Sequence, residues 1–305
     1  MLRPFTLHRP HTVEEACELL ARLGDDAAPY AGGTELLLLM KEGLLRPRHL
    51  VDIKRIAGLD AIIDGGPRLV IGATATHRAV ERSPVVRARC PLIASVARHV
   101  ANVRVRNVGT VGGNLAFADP HSDLATLFLT LEGRVELASP RGRRELPLDE
   151  FVRGPWETAR EPDELLASVR LRPWPGRAAA AYVKFGLYER PTLGIAVALL
   201  LEDGGQAGGH VTEARIAVGC VNPRPARVPG AESRLRGCPV GSVDDVIDAV
   251  AERAAESADP ADDLHGSADY KREMVSVFTR RTLRVAAARA GGGPATPHFA
   301  HAVVA

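Results

Sequence analysis

The sequence predicts a mixed α+β protein in two parts, and three observations carry that reading. Strand-like and helix-like stretches follow one another without the regular alternation of a doubly wound parallel sheet. The run "RLRPWPGR", Arg170 to Arg177, holds two prolines and a glycine and reads as a linker. Past it the character changes: three strand-like runs separated by turn residues suggest an antiparallel meander, and two helices follow. No repeat of fixed period appears along the 305 residues.

The first clear element is a helix over "HTVEEACELLARLGDD". Thr12 and Glu15 have capping-box spacing, Val13, Ala16, Cys17 and Leu20 form one apolar stripe, and Gly24 ends it. "PYAGG" reads as a short strand entering a tight turn, "TELLLLMKEG" as a brief buried helix and "HLVDI" as a strand. Two strands about a Gly-Gly turn make "AIIDGGPRLVIGA" a hairpin. "SPVVRARCPLIASVARHVAN" is helical with an interruption near Pro91, a glycine-rich segment follows, and "LATLFLTLEG" resumes a helix. "RVELAS" and "ELPLDEFV" begin a run of strand and loop. Beyond the linker, "AAAYVKFGL", "TLGIAVALLLED" and "HVTEARIAVGCV" are the meander strands, and the two helices run Val243 to Ser257 and Tyr270 to Ala290. The last stretch, "AGGGPATPHFAHAVVA", lacks periodicity and is expected to be a mobile tail.

Bulk properties exclude several classes. Hydrophobic residues make up 46% and charged residues 25% of the chain, ordinary for a globular protein. The net charge of +2 predicts neither a nucleic-acid partner nor an anionic membrane surface. No apolar run approaches the ~20 residues of a membrane span. "MLRPFTLHRPHTVEEA" has no apolar core after its charges, so no signal peptide is expected and the cytoplasm is the expected compartment. Cys17, Cys90, Cys220 and Cys238 are widely spaced with no C-x-x-C pair, which predicts reduced thiols and no metal or cluster site of the chain's own.

Two glycine motifs carry the chemistry. "YAGGTELLLLMK" places Gly32 and Gly33 before a Thr-Glu pair and a helix, and "GTVGGNLAFADPHSDLATLFL" places Gly112 and Gly113 before Asn114, with Asp123 at the start of an apolar helix. Bare backbone N–H groups at a turn or helix start bind anionic oxygens, and glycine lets a phosphate come close enough to use them. Thr34, Thr110 and Asn114 add side-chain hydrogen bonds, while Asp123 suits a ribose or ribityl hydroxyl better than a phosphate. Two such turns, about 80 residues apart, can hold a diphosphate from both sides. Neither fits the G-x-G-x-x-G fingerprint of a Rossmann domain or the G-x-x-x-x-G-K-[ST] of a P-loop.

The pair resembles instead the two flavin motifs of the FAD-binding medium subunits of molybdenum hydroxylases, a family that includes carbon monoxide dehydrogenase medium subunits and the flavin domain of xanthine dehydrogenase. "AGGTELLLLMK" is similar to the first motif and "RNVGTVGGNLAFADPHSDLA" to the second. The resemblance runs from Leu2 to about Arg289. It implies a two-subdomain FAD-binding fold of the PCMH type, followed by a C-terminal antiparallel sheet with helices. The implied divisions are residues 1–55 and 56–175 for the two FAD-binding subdomains, 176–290 for a C-terminal α+β domain and 291–305 for the tail.

Carried over residue by residue, the resemblance implies that Ala31, Gly32, Gly33, Thr34, Glu35 and Leu36 wrap the diphosphate and ribityl region. Thr110, Gly113 and Asn114 complete the grip. Ala116 and Phe117 lie along the flavin, with Asp123 on a hydroxyl, and Val100 and Ala101 give a backbone contact on the adenine side. "YVKFGLYERPTLGIAVAL" brings Lys184 to the flavin, the alternative being a strand residue facing solvent; Tyr188 is a chemically suitable stacker. The chain departs from relatives that carry a lysine three residues before A-G-G, where it has Ala28, and in Pro191, Thr192 and Leu193.

No residue of the chain is expected to act as a catalytic acid or base on an organic substrate. His121 and His77 read as capping or loop histidines, "SPRGRRE" as a solvated hairpin tip, and Arg98, His99, Arg104 and Arg106 as a solvated or partner-facing cluster. The implied function is an electron-transfer subunit. It would take electrons from the clusters of a small [2Fe-2S] subunit, beside a large molybdopterin subunit, and pass them to an external electron acceptor. The alternative is a stand-alone FAD-dependent oxidoreductase.

Overall fold

The computed structural model describes residues 2–186, 190–202, 209–293 and 297–305. Its first unit runs β1 (Thr6–His8), α1 (Val13–Leu23), β2 (Ala27–Tyr30), α2 (Leu36–Lys41) and β3 (His49–Asp52). The strands form a parallel sheet in the order β1-β3-β2. Alternation therefore does exist here, hidden because β1 is only three residues long. Helix α1 starts as its capping residues dictate: Glu15 N donates to Thr12 Oγ1 at 3.0 Å, and the Glu15 carboxylate accepts from His11 N at 2.7 Å. Its apolar stripe clusters with Val51 and Ile53 and with Ala138, Leu165 and Ala167 from later in the chain.

Helix α2 departs from the buried helix expected. Only Met40 is buried, and Leu38 is 49% exposed. Four consecutive leucines cover every side of a 3.6-residue turn, so contact on one side cannot bury them all.

The second unit runs β4 (Ile62–Asp64), β5 (Leu69–Gly72), α3 (His77–Arg82), α4 (Pro84–Arg89), α5 (Pro91–Arg98), α6 (Val103–Val108), α7 (Val111–Phe117), α8 (Asp123–Thr130), β6 (Arg134–Ser139), β7 (Gly142–Pro147), α9 (Leu148–Phe151), β8 (Val152–Gly154), β9 (Glu157–Thr158) and β10 (Leu165–Leu171). Strands β4-β5-β10-β6-β7 form an antiparallel sheet and β8-β9 a small ribbon. Ser83 and Ser122 cap α4 and α8 by accepting from Val86 N and Ala125 N. The second glycine pair, expected in a turn, instead fills the first turn of α7. Thr110 is the cap and accepts from Gly113 N at 3.1 Å.

The third unit holds β11 (Ala178–Phe185), β12 (Leu193–Leu201), β13 (Val211–Gly219), β14 (Ala226–Arg227), α10 (Pro229–Glu232), α11 (Val243–Glu256), α12 (Ala268–Ala290) and β15 (Ala302–Val304). Its sheet, β14-β13-β12-β11-β15, is antiparallel throughout. Every residue of β12 is buried, because α12, itself backed by α11, covers one face and α8 the other. Gly219 allows the second contact: a Cβ there would lie 1.8 Å from Thr126 Oγ1 of α8. The expectation of a structureless tail is corrected at the C-terminus. Residues 302–304 pair with 183–185, and Ala305 is buried with its carbonyl accepting from Arg289 Nη1 at 2.9 Å. The run is too short to show periodicity; the open edge of β11 supplies its hydrogen-bond partners.

Candidate functional site

Parallel pairing of β2 with β3 sets their C-terminal ends side by side, Tyr30 opposite Asp52, the edge of an α/β sheet where ligands bind. The chain leaves β2 through Ala31–Gly33. A Cβ at Gly32 would lie 2.2 Å from the Val108 carbonyl oxygen and 2.8 Å from Gly109 Cα, so no other residue fits there without movement. Gly33 has φ +71°, a left-handed conformation that side chains disfavour, and its missing Cβ leaves room for the Tyr30 ring. The two glycine segments, far apart in sequence, thus touch in the fold. Val108 and Gly109 lead directly into Thr110 and α7, whose Gly113 is exposed and whose Asn114, Ala116 and Phe117 are half-buried.

From Asn114 a chain of polar contacts continues. Ser122 Oγ donates to Asn114 Oδ1 at 2.6 Å and caps α8, which begins at Asp123. Asp123 is buried: its Oδ1 accepts from Tyr182 Oη and its Oδ2 from Lys184 Nζ, both at 2.8 Å. Lys184 Nζ also donates to the His99 carbonyl at 3.1 Å, one residue before Val100 and Ala101. The carbonyls of those two residues accept from Arg106 Nη1 at 2.9 and 3.0 Å. Ala101 is left-handed at φ +41°. Lys184 is buried rather than turned to solvent, and it uses two of its three ammonium protons inside the protein. Desolvation and the neighbouring Asp123 charge push the Tyr182 phenol well above its ordinary range, so it stays a donor.

Several neighbours were not legible as part of this site. His77, read as a capping residue, follows the cap Thr76 but is buried against Gly109, with Nδ1 lacking a hydrogen-bond partner. Burial and the nearby Arg106 hold its imidazole down to about pH 4. Lys54 Nζ stands 3.5 Å from the centre of the Tyr30 ring and 2.7 Å from Asp52 Oδ1. Its place beside the first glycine turn comes from strand pairing alone. His121 is a loop histidine as read: its Nδ1 lies 3.0 Å from Asp119 Oδ1, which also accepts from its backbone N–H. The "SPRGRRE" tip is partly an ion network, with Arg144 on the buried Glu164 and Arg143 on Glu136. Tyr188 lies outside the described residues. Among the described residues no group of three or more His, Cys, Asp or Glu side chains could hold a metal, and no helix is long and apolar enough to cross a membrane.

A cradle in which Gly32 admits no Cβ, Gly33 is left-handed and Gly113 is exposed in the first turn of α7 suits a diphosphate. The half-buried Ala116 and Phe117 suit a flat apolar ring. Two small α+β units joined at such a cradle, with a third sheet set against α8, define a two-subdomain FAD-binding fold. Residues 3–174 match the family described as the FAD binding domain in molybdopterin dehydrogenase, and residues 189–286 the CO dehydrogenase flavoprotein C-terminal domain. The chain belongs to this family of FAD-binding medium subunits of molybdenum hydroxylases, and FAD is its cofactor. It is 37% identical to the carbon monoxide dehydrogenase medium chain of Hydrogenophaga pseudoflava, over 93% of this chain and 98% of that one. It is 33% identical to the nicotine 6-hydroxylase medium subunit of Paenarthrobacter nicotinovorans, over 92% and 96% respectively. The solved carbon monoxide dehydrogenase from H. pseudoflava superposes with a TM-score of 0.88 at 37% identity, covering 95% of this chain and 99% of that one.

Proposed function

We propose that this chain is the electron-transfer subunit of a cytoplasmic, multi-subunit molybdenum hydroxylase, taking electrons from a small [2Fe-2S] subunit and passing them to an external acceptor, while a large molybdopterin subunit oxidises the substrate. The observation that carries it is the contact of Gly32 with Val108 and Gly109, which builds one cradle from both motifs. Relatives named for carbon monoxide and for nicotine align over nearly their whole length with this one chain, which supports a shared flavin module whose substrate is recognised elsewhere. Four free cysteines agree with a reducing compartment.

Within the cradle, Ala31–Leu36 wrap the diphosphate and ribityl chain, and Thr110, Gly113 and Asn114 hold its other side. Ala116 and Phe117 lie along the flavin ring, and the Val100–Ala101 turn braced by Arg106 faces the adenine. Lys184 keeps one ammonium proton for the cofactor, and Asp123 keeps lone pairs for a hydroxyl beyond those used by Tyr182 and Lys184. Bound FAD supplies the redox chemistry; the chain supplies position, charge and exclusion of water.

The test is reconstitution with candidate partner chains. Adding the separately reduced [2Fe-2S] chain under anaerobic conditions should bleach the visible flavin absorbance of this protein. Failure to bleach overturns the role as acceptor from that partner, and bleaching by an organic substrate alone points to the stand-alone oxidoreductase.

A further inference from the structure

We propose that Lys54 is the cation of the first glycine turn and binds the diphosphate oxygens of the dinucleotide; this rests on the FAD reading above. Ile53 and Lys54 leave β3 at the same sheet edge at which Ala31–Gly33 leave β2, and Ile53 N donates to the Tyr30 carbonyl at 3.0 Å. The Lys54 ammonium lies over the Tyr30 ring, 3.5 Å from its centre. That ring reaches under Gly33, where an added Cβ would be 2.5 Å from Tyr30 Cε2. The same Tyr30 ring thus touches both the Lys54 ammonium and the glycine turn, which places the cation and the turn at one end of the sheet. Strand β2 itself offers only Ala27, Ala28, Pro29 and Tyr30, so no cation comes from it.

Asp52 shows why the lysine matters doubly. Its carboxylate is buried and would repel a phosphate at this sheet edge. Lys54 compensates it twice, by the ammonium contact at 2.7 Å and by its own backbone N–H at 3.1 Å. The Lys54 side chain is nevertheless 39% exposed, and a lysine ammonium has three protons, so donors remain for an anion. Without the ammonium, the diphosphate would lose a partner and face an uncompensated carboxylate.

The experiment is a titration of the flavin-free full chain with FAD, followed by flavin fluorescence, for the unaltered protein, K54M, K54R and the double variant D52N/K54M. K54M should weaken FAD about tenfold or more, the scale of a lost charge-assisted hydrogen bond. K54R should bind within a few-fold of the unaltered chain, and D52N/K54M should recover part of the loss. The salt dependence of binding should flatten in K54M, which a merely structural role would not cause. Far-UV circular dichroism of each variant checks the fold, and a misfolded K54M leaves the decision to the K54R and D52N/K54M affinities. K54M binding FAD within twofold of the unaltered chain, with unchanged salt dependence, overturns the proposal while leaving the FAD reading intact. An unaltered chain that binds no FAD overturns both.

Discussion

Gly32 has less room than an ordinary turn leaves its residues. A methyl group would enter the Val108 carbonyl, a backbone atom that can move only with α6 and the start of α7. Gly32→Ala is therefore expected to cost about 1–3 kcal/mol from overpacking and to strip the flavin, read as a lower midpoint of thermal unfolding and loss of bound FAD. An unchanged midpoint would contradict the contact. His77 gives a pH prediction. Its imidazole protonates near pH 6.5 when free and near 4 when buried, so between those values the unfolded chain binds more protons. The resulting stability is complete above pH 6.5 and is lost as pH falls toward 4, in total about 3 kcal/mol. Urea unfolding at pH 7.5 and pH 5 should show about 2 kcal/mol of that loss in the native chain. It should be reduced in His77→Phe, which sacrifices no Nδ1 hydrogen bond. At this scale Gly32, Gly33 and Thr110 were legible as special positions, because a close backbone approach, a left-handed turn and a helix cap call for those residue types. Lys54, Tyr30 and the buried His77 were not, because their roles arise from strand pairing and from neighbours distant in sequence.

Helix α8 and the third sheet meet through contacts that tolerate little change. Asp123 holds Tyr182 and Lys184 across the joint, all three buried. Removing one partner of a buried ion pair leaves an uncompensated charge, so Asp123→Ala should destabilise by about 3–5 kcal/mol. Adding Lys184→Met should restore part of it, which a double-mutant cycle by chemical denaturation measures. Strictly additive losses would show that the pair is not coupled. The meander strands were legible because they are long apolar runs bounded by turn residues, the two long helices because of their length, and α1 because its cap is written in Thr12 and Glu15. The three-residue strands β1 and β15 were not, since sheet partners rather than their own sequences define them. Helix α7 was obscured by its two glycines, which weaken a helix, although Gly112 lets its first turn lie against Ala73.

Across the whole molecule, α1 packs on residues of the second unit and α8 on the third sheet, and the bound cofactor is predicted to add to the stability these joints provide. A ligand that binds only the folded state stabilises it by mass action, so saturating FAD should raise the unfolding midpoint of the full chain, and FMN, lacking the adenylate half, should raise it less. Two glycine segments were legible as one site only through their resemblance to a family; spacing alone could not say that they touch. The measurement that tests the central claim most directly is the flavin content of the purified chain after expression with riboflavin, with the released nucleotide identified after acid denaturation. One FAD per chain is the predicted result; a colourless protein that takes up no FAD on titration would contradict it.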